Sequence, residues 1–223
     1  MKKTIAIFTV FTLLLSVSAG AITFFLGTIN NEVSETIAPD LTYRYYDITS
    51  NSGPQKVFTA EVNLSNPNIL LAAGRSNGYV YSRQTVPNMA TDKNKQGIGQ
   101  VVFGVNGDFF NFDEGVPFGI FMEDGEILTT PPQYSVAFGM DKDGKPFIVS
   151  HGTMIDIDLY VNGVRNTVTG INNPPKGENS LMLYTDAYAK STKTDKTYVE
   201  ALCTVLSGSA RHGEVMNLRV EKV

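Results

Sequence analysis

The chain has 223 residues, a formal net charge of −4, one Cys, two His and no Trp. That length suits one domain with a small appendage rather than two full domains, and the Phe, Tyr and Leu content sets it apart from a disordered chain. A single Cys excludes an internal disulfide framework and a multi-Cys zinc site, two His are too few for a histidine-rich metal centre, and the acidic balance argues against a nucleic-acid partner.

Met1-Lys2-Lys3 opens the chain with positive charge, and Ile5 to Gly27 then carries no charged residue. Two readings of residues 1–27 stay open. One is a secretory signal peptide with Ala19-Gly20-Ala21 as its small-residue cleavage site. The other is an uncleaved apolar helix that anchors the chain in a membrane, at 1.5 Å per residue. Both export the remainder, and leading lysines favour a cytoplasmic N-terminus. The expected location is extracytoplasmic, secreted or membrane-anchored, and the single Cys suggests a bacterial exported protein.

Residues 28–56 read as a mixed lead-in region that ends in the turn cluster Ser50-Asn51-Ser52-Gly53-Pro54. From Val57 onward the pattern is of short strands: VFTAEVNL (57–64), NILLAA (68–73), QVVFGV (100–105) and Phe118–Met122. Thr85 to Asp92 is a candidate short helix. Three hairpins are expected, about Asp124-Gly125, Asp141-Lys142-Asp143-Gly144 and Asn162-Gly163. Later strands fall at Leu181–Tyr184, Tyr198–Leu206 and Val215–Val220. The expected fold is α+β: a β-rich single domain over 57–223, with mixed or antiparallel sheets and few short helices.

Polar and aromatic residues are concentrated in GVNGDFFNFDEGVPFG (104–119). One reading is a tight turn, with Gly107 in a backbone conformation that other residues resist and with Asn106 and Asp108 bonding back to it. The other is a sugar site. Phe109, Phe110 and Phe112 would cover a sugar ring's face while amides and carboxylates bind its hydroxyls, and desolvation by the rings would raise a carboxyl pKa. Asp113 and Glu114 read as solvated loop residues. Further on, Asn172-Asn173-Pro174-Pro175 is either a stiffened turn or a pocket wall. Asp156 and Asp158 share a solvated sheet face, Asp141 and Asp143 are turn residues, and Cys203 is a buried small hydrophobe. No phosphate-binding Gly loop, nucleophile elbow or calcium loop is present in the sequence.

Several segments together resemble the phosphodiester glycosidase family. They are VFTAEVNLSNPNILLAA (57–73), SRQTVPNMA (82–90), VVFGVNGDFFNFDEGVPFGIFMEDGEIL (101–128), SVAFGMDKDG (135–144), VNGVRNTVTGINNPP (161–175) and LMLYTDAYAKSTKTD (181–195), in the family's order. The resemblance implies an exported hydrolase that cleaves a sugar-1-phosphodiester in a glycan or cell-envelope polymer. Asp108 and Asn106 match the family's polar motif and are the implied catalytic residues. Phe109, Phe110, Asn173 and Lys176 are the implied substrate contacts. A basic group or a divalent cation would offset phosphate charge, and no organic cofactor is expected. Partners would be a phosphorylated glycan and, through an uncleaved N-terminus, a membrane.

Two departures accompany the resemblance. Asn173-Pro174-Pro175-Lys176 stands where the family has an Asn-Arg-Pro-Arg-like segment, and Lys does not replace a bidentate Arg. The family also continues into a Gly-rich segment, whereas this chain stops at Glu221-Lys222-Val223, so a fragment or a truncated, inactive homologue is expected. The alternative function is a non-catalytic carbohydrate-binding or cell-envelope protein of the same fold.

Overall fold

A computed structural model describes residues 27–130, 136–149, 155–175 and 177–223. The N-terminal apolar run up to Leu26, His151 and Lys176 lie outside them. The chain divides into two compact units, with the boundary between Ile69 and Leu70.

The first unit is a three-stranded antiparallel sheet in the order β1-β2-β3, built from Thr28–Ala38, Leu41–Ser50 and Gly53–Val62. The stretch expected as a mixed lead-in is therefore mostly strand, and Val57 to Val62 belongs to the same sheet. Tyr, Thr and Ile in LTYRYYDI favour the extended backbone, and the alternation buries Tyr46 and Ile48 on one face. Asp40, at φ 63°, turns β1 into β2. Ser50 closes the next turn: its Oγ donates to Gly53 O at 2.9 Å and accepts from Ser52 N at 3.2 Å. NILLAA is not a strand. Asn66 captures its start, accepting Asn68 N at its side chain and Ile69 N at its carbonyl, and Leu70 and Leu71 are exposed.

The second unit is mostly hairpins. Helix α1 (Val86–Asn94) begins where expected, behind Thr85 in extended geometry and with a proline in its first turn. Strands β4 (Phe121–Glu123) and β5 (Glu126–Thr129) pair across Asp124-Gly125, at φ 51° and 81°. Strands β8 (Asp158–Val161) and β9 (Val164–Thr167) pair across Asn162-Gly163, at φ 51° and 80°. Both are two-residue turns with positive φ at both positions, whose twist matches the strands they join. Between them in sequence, β6 (Ala137–Met140) and β7 (Pro146–Val149) pair around Asp141, whose Oδ1 accepts Asp143 N and Lys145 N. The chain then forms β10 (Gly170–Ile171), which runs parallel to β11 (Met182–Leu183), and the antiparallel pair β12 (Leu202–Ser207) and β13 (Asn217–Lys222). Cys203, expected to be buried, is only half-buried on β12.

The apolar run QVVFGV is not a strand either. Val101 N donates to the Asn94 side chain at 2.6 Å, and Val102 and Val105 stand exposed. Its composition suits a ladder, but no strand pairs with it among the described residues. The core of this unit gathers Val80, Val116, Leu128, Ala187 and Tyr188, with Tyr81, Phe121 and Tyr184 packed against it. Tyr188 meets Tyr81 edge-on at 5.5 Å and Tyr184 at 4.8 Å. Burial pushes the Tyr188 hydroxyl's pKa well above its ordinary value. The fold is α+β, strand-dominated and mostly antiparallel, with one short helix among the described residues.

Candidate functional site

Residues 108–119 form a stapled loop. Asp108 holds its base: Oδ1 accepts Phe109 N at 2.7 Å and Oδ2 accepts Gly119 N at 2.6 Å. Phe118 N donates to Phe109 O at 2.9 Å, and Asn111 N to Val116 O at 2.9 Å. At the tip, the Asn111 side chain accepts Asp113 N and Glu114 N. The turn reading of this segment is thus present, but its parts are redistributed. Gly107 does not adopt a left-handed φ, whereas Gly115 does, at 81°. A Cβ on Gly115 would run into Ser82 O, and one on Gly119 would run into the Asp108 carboxylate.

The loop's rings point outward. Phe109 is 85% exposed and Phe112 75%, whereas Phe110 is 40% exposed beside its bridge to Pro117. Arg83 lies over the Phe112 ring, 4.8 Å from its centroid. Nothing in the local sequence ties Arg83 to this loop; its place beside it comes from tertiary packing against Gly115. Asn106 is exposed in the irregular segment ahead of the loop.

The Asn172-Asn173 segment lies at the other end of a continuous polar path. Gly119, whose N–H Asp108 holds, accepts at its carbonyl the Thr129 hydroxyl at 2.9 Å. The next residue, Thr130, faces Asn173. Oriented with its nitrogen toward the acceptors, the Asn173 amide donates to Thr130 Oγ1 at 3.1 Å, Thr130 O at 2.9 Å and Ile171 O at 2.7 Å. Asn172 is fully buried and left-handed, at φ 48°. Its Nδ2 donates to Leu128 O and Thr185 Oγ1, both at 2.9 Å, and its Oδ1 accepts Thr185 N at 2.8 Å. Tyr184 Oη donates to Asn173 O at 2.9 Å. The segment is a buried polar knot that joins β5, β10 and the chain after β11. Its amides serve the protein's own backbone.

The structure therefore connects Asp108 to Asn173 through Gly119, Thr129 and Thr130, and gives both side chains internal partners. Phe109 and Phe112 remain open to solvent, with Arg83 as the cation beside them. A separate recess beside α1 contains Arg75, Lys93 and Glu123. Lys93 Nζ sits 2.8 Å from Glu123 Oε1; Arg75 Nε sits 2.7 Å from Oε2, as an ion pair that is off the axis of a hydrogen bond. These charges tie α1 to β4. Among the described residues, no three His, Cys, Asp or Glu side chains converge to hold a metal ion.

No protein family, curated protein or solved structure matches the chain. The expectation of a glycosidase or other hydrolase is thus without support, and the chain is a strand-dominated α+β domain. Among the described residues, no helix is long and apolar enough to cross a membrane; the N-terminal apolar run that carries the membrane-anchor expectation lies outside them.

Proposed function

We propose that the 108–119 loop is a non-catalytic binding site for a phosphorylated glycan. One observation carries this reading: Phe109 and Phe112 stand exposed on a loop whose Asp108 carboxylate is taken up as its staple, with Arg83 over the Phe112 ring. Aromatic faces cover the C–H face of a sugar, and an adjacent guanidinium is suited to a phosphodiester oxygen. Arg83 supplies the planar cation that the Asn173-Pro174-Pro175-Lys176 segment lacks. The resemblance to phosphodiester glycosidases supports the ligand class, a sugar-1-phosphodiester. The use of both Asp108 oxygens by backbone amides favours holding that ligand over cleaving it.

Titration calorimetry with a methyl hexose-1-phosphodiester tests the proposal. Phe109→Ala and Arg83→Ala are each expected to weaken binding roughly tenfold, equivalent to about 1.4 kcal/mol. Only the Arg83 effect should vanish when the uncharged methyl glycoside is the probe. Equal affinity in all three proteins overturns the site. Release of free sugar by the wild-type chain, lost in Asp108→Asn, overturns the non-catalytic reading.

A further inference from the structure

The chain contains three Asn-Gly pairs, Asn77-Gly78, Asn106-Gly107 and Asn162-Gly163. Each has the makings of a succinimide ring, because glycine puts no side chain beside the attacking nitrogen. The folded chain treats the three unequally. Asn77 is pinned: its Nδ2 donates to Ser82 Oγ at 2.9 Å and its N–H to Gln84 Oε1 at 2.9 Å. Asn77 and Gly78 are both left-handed, at φ 53° and 79°, and Tyr79 N closes their turn onto Ser76 O at 2.9 Å. Asn162-Gly163 is the two-residue turn of the β8–β9 hairpin, fixed by the pairing of Val161 with Val164. In both, the turn must open before the glycine nitrogen reaches the asparagine's side-chain carbon.

Asn106-Gly107 needs no such opening. The pair is exposed, lies in neither helix nor strand, and has no left-handed residue. Neither the Asn106 side chain nor the Gly107 N–H has a hydrogen-bond partner among the described residues. The space around Gly107 is open enough that an added Cβ would meet nothing.

We propose that the fold singles out Asn106-Gly107 as a site of spontaneous modification, at which Asn106 becomes aspartate or isoaspartate. The Gly107 nitrogen attacks Cγ of Asn106. A new N–C bond closes the succinimide, and the side-chain amide leaves as ammonia, taking the proton that the Gly107 nitrogen gives up. Water then adds to one of the two ring carbonyls. Addition at Cγ breaks the new bond and returns the original main chain with an aspartate side chain. Addition at the main-chain carbonyl breaks the original peptide bond and leaves Gly107 linked through the side chain, as isoaspartate. Nothing is oxidised or reduced, and water is the co-reactant. Either product places a new negative charge two residues ahead of the Asp108 staple, and isoaspartate also lengthens the main chain there by a methylene. The proposal rests on local geometry and does not depend on the ligand proposed for residues 108–119.

Ageing the full chain in mildly alkaline buffer tests this. Peptide mapping by mass spectrometry locates each change of amide to acid, and electron-based fragmentation separates aspartate from isoaspartate. In the folded chain, conversion at Asn106 is expected to run roughly tenfold or more ahead of conversion at Asn77 and Asn162, whose turns must first open locally. In urea the three rates should converge, since the turns that protect the other two pairs are then gone. Gly107→Ala crowds the attacking nitrogen and should slow conversion at Asn106 several-fold while leaving the other two rates unchanged. Far-UV circular dichroism that superimposes on wild type establishes that this variant is folded. The proposal is overturned if Asn106 stays intact, if the three pairs convert equally fast in the folded chain, or if Gly107→Ala converts as fast as wild type. Selectivity for Asn106 that persists undiminished in urea also overturns it, because the flanking sequence rather than the fold would then set the rates.

Discussion

Asp108 shows how one residue type can carry a chemical suggestion and a structural bond together. A carboxylate among phenylalanines suggests acid–base chemistry. In the structure its two oxygens take the N–H groups of Phe109 and Gly119 and so close the loop. The bond to Gly119 spans eleven residues and depends on how the loop folds back, which short-range turn rules do not contain. Within the loop, Gly115 is the glycine that backbone geometry makes hardest to replace. Its φ of 81° is unfavourable for side-chain-bearing residues, and a Cβ would collide with Ser82 O. Gly115→Ala is expected to cost about 2 kcal/mol in urea unfolding, from strain and overpacking together. Gly107→Ala, which has open space and no left-handed φ, should cost less than about 1 kcal/mol.

At the scale of elements, α1 is held mainly by polar side chains, since none of its residues is buried. Glu123 on β4 pairs with Lys93, and Asp92 accepts from Gln84 at 2.7 Å and Lys95 at 2.7 Å. The bonds from Lys95 and then Gln84 hold the Asp92 carboxyl below its ordinary pKa of 3.8. The folded state therefore binds its proton less readily than the unfolded chain does. The stabilisation is complete above 3.8 and is lost as pH falls through the lower folded value. Acid titration followed by helix circular dichroism should show α1 loosening in that window. Asp92→Asn should flatten the dependence there, and an unchanged profile would refute the assignment.

The same scale explains which elements could be read in advance. Asp124-Gly125 and Asn162-Gly163 specify their hairpins locally, because the pair itself accommodates positive φ at both positions. Thr85 and Pro87 mark the start of α1 for a similarly local reason. By contrast, QVVFGV and NILLAA have strand composition but no ladder partner among the described residues, and a strand exists only by pairing. TINNEVSETIA errs the other way: its few apolar residues hide β1, which is set by its register against β2. The NGDFF loop is conspicuous in the sequence as a polar and aromatic cluster. Arg83 and the Thr130–Asn173 contact are not, since each brings together residues far apart in the chain.

Among the described residues, antiparallel pairs between strands close in sequence dominate, and the parallel pair β10–β11 is the exception. Next to that pair, Asn172 joins Leu128 O to Thr185 from a fully buried position. Its consequence is one of timing. Two-residue hairpins close in about 1–10 μs, whereas contacts across long stretches must first meet the entropy of closing the intervening chain. The bond from Asn172 to Leu128 spans 44 residues, so the knot is expected to form after the β4–β5 hairpin that it ties to the later chain. Asn172→Ala leaves buried backbone groups without partners and should remove about 2–3 kcal/mol. Stopped-flow chevrons should place most of that loss in faster unfolding, with the refolding limb nearly unmoved. A refolding limb slowed in proportion to the full loss would instead make Asn172 part of the nucleus. With the knot setting after that hairpin, its opening governs how long β5 and β10 stay docked once formed.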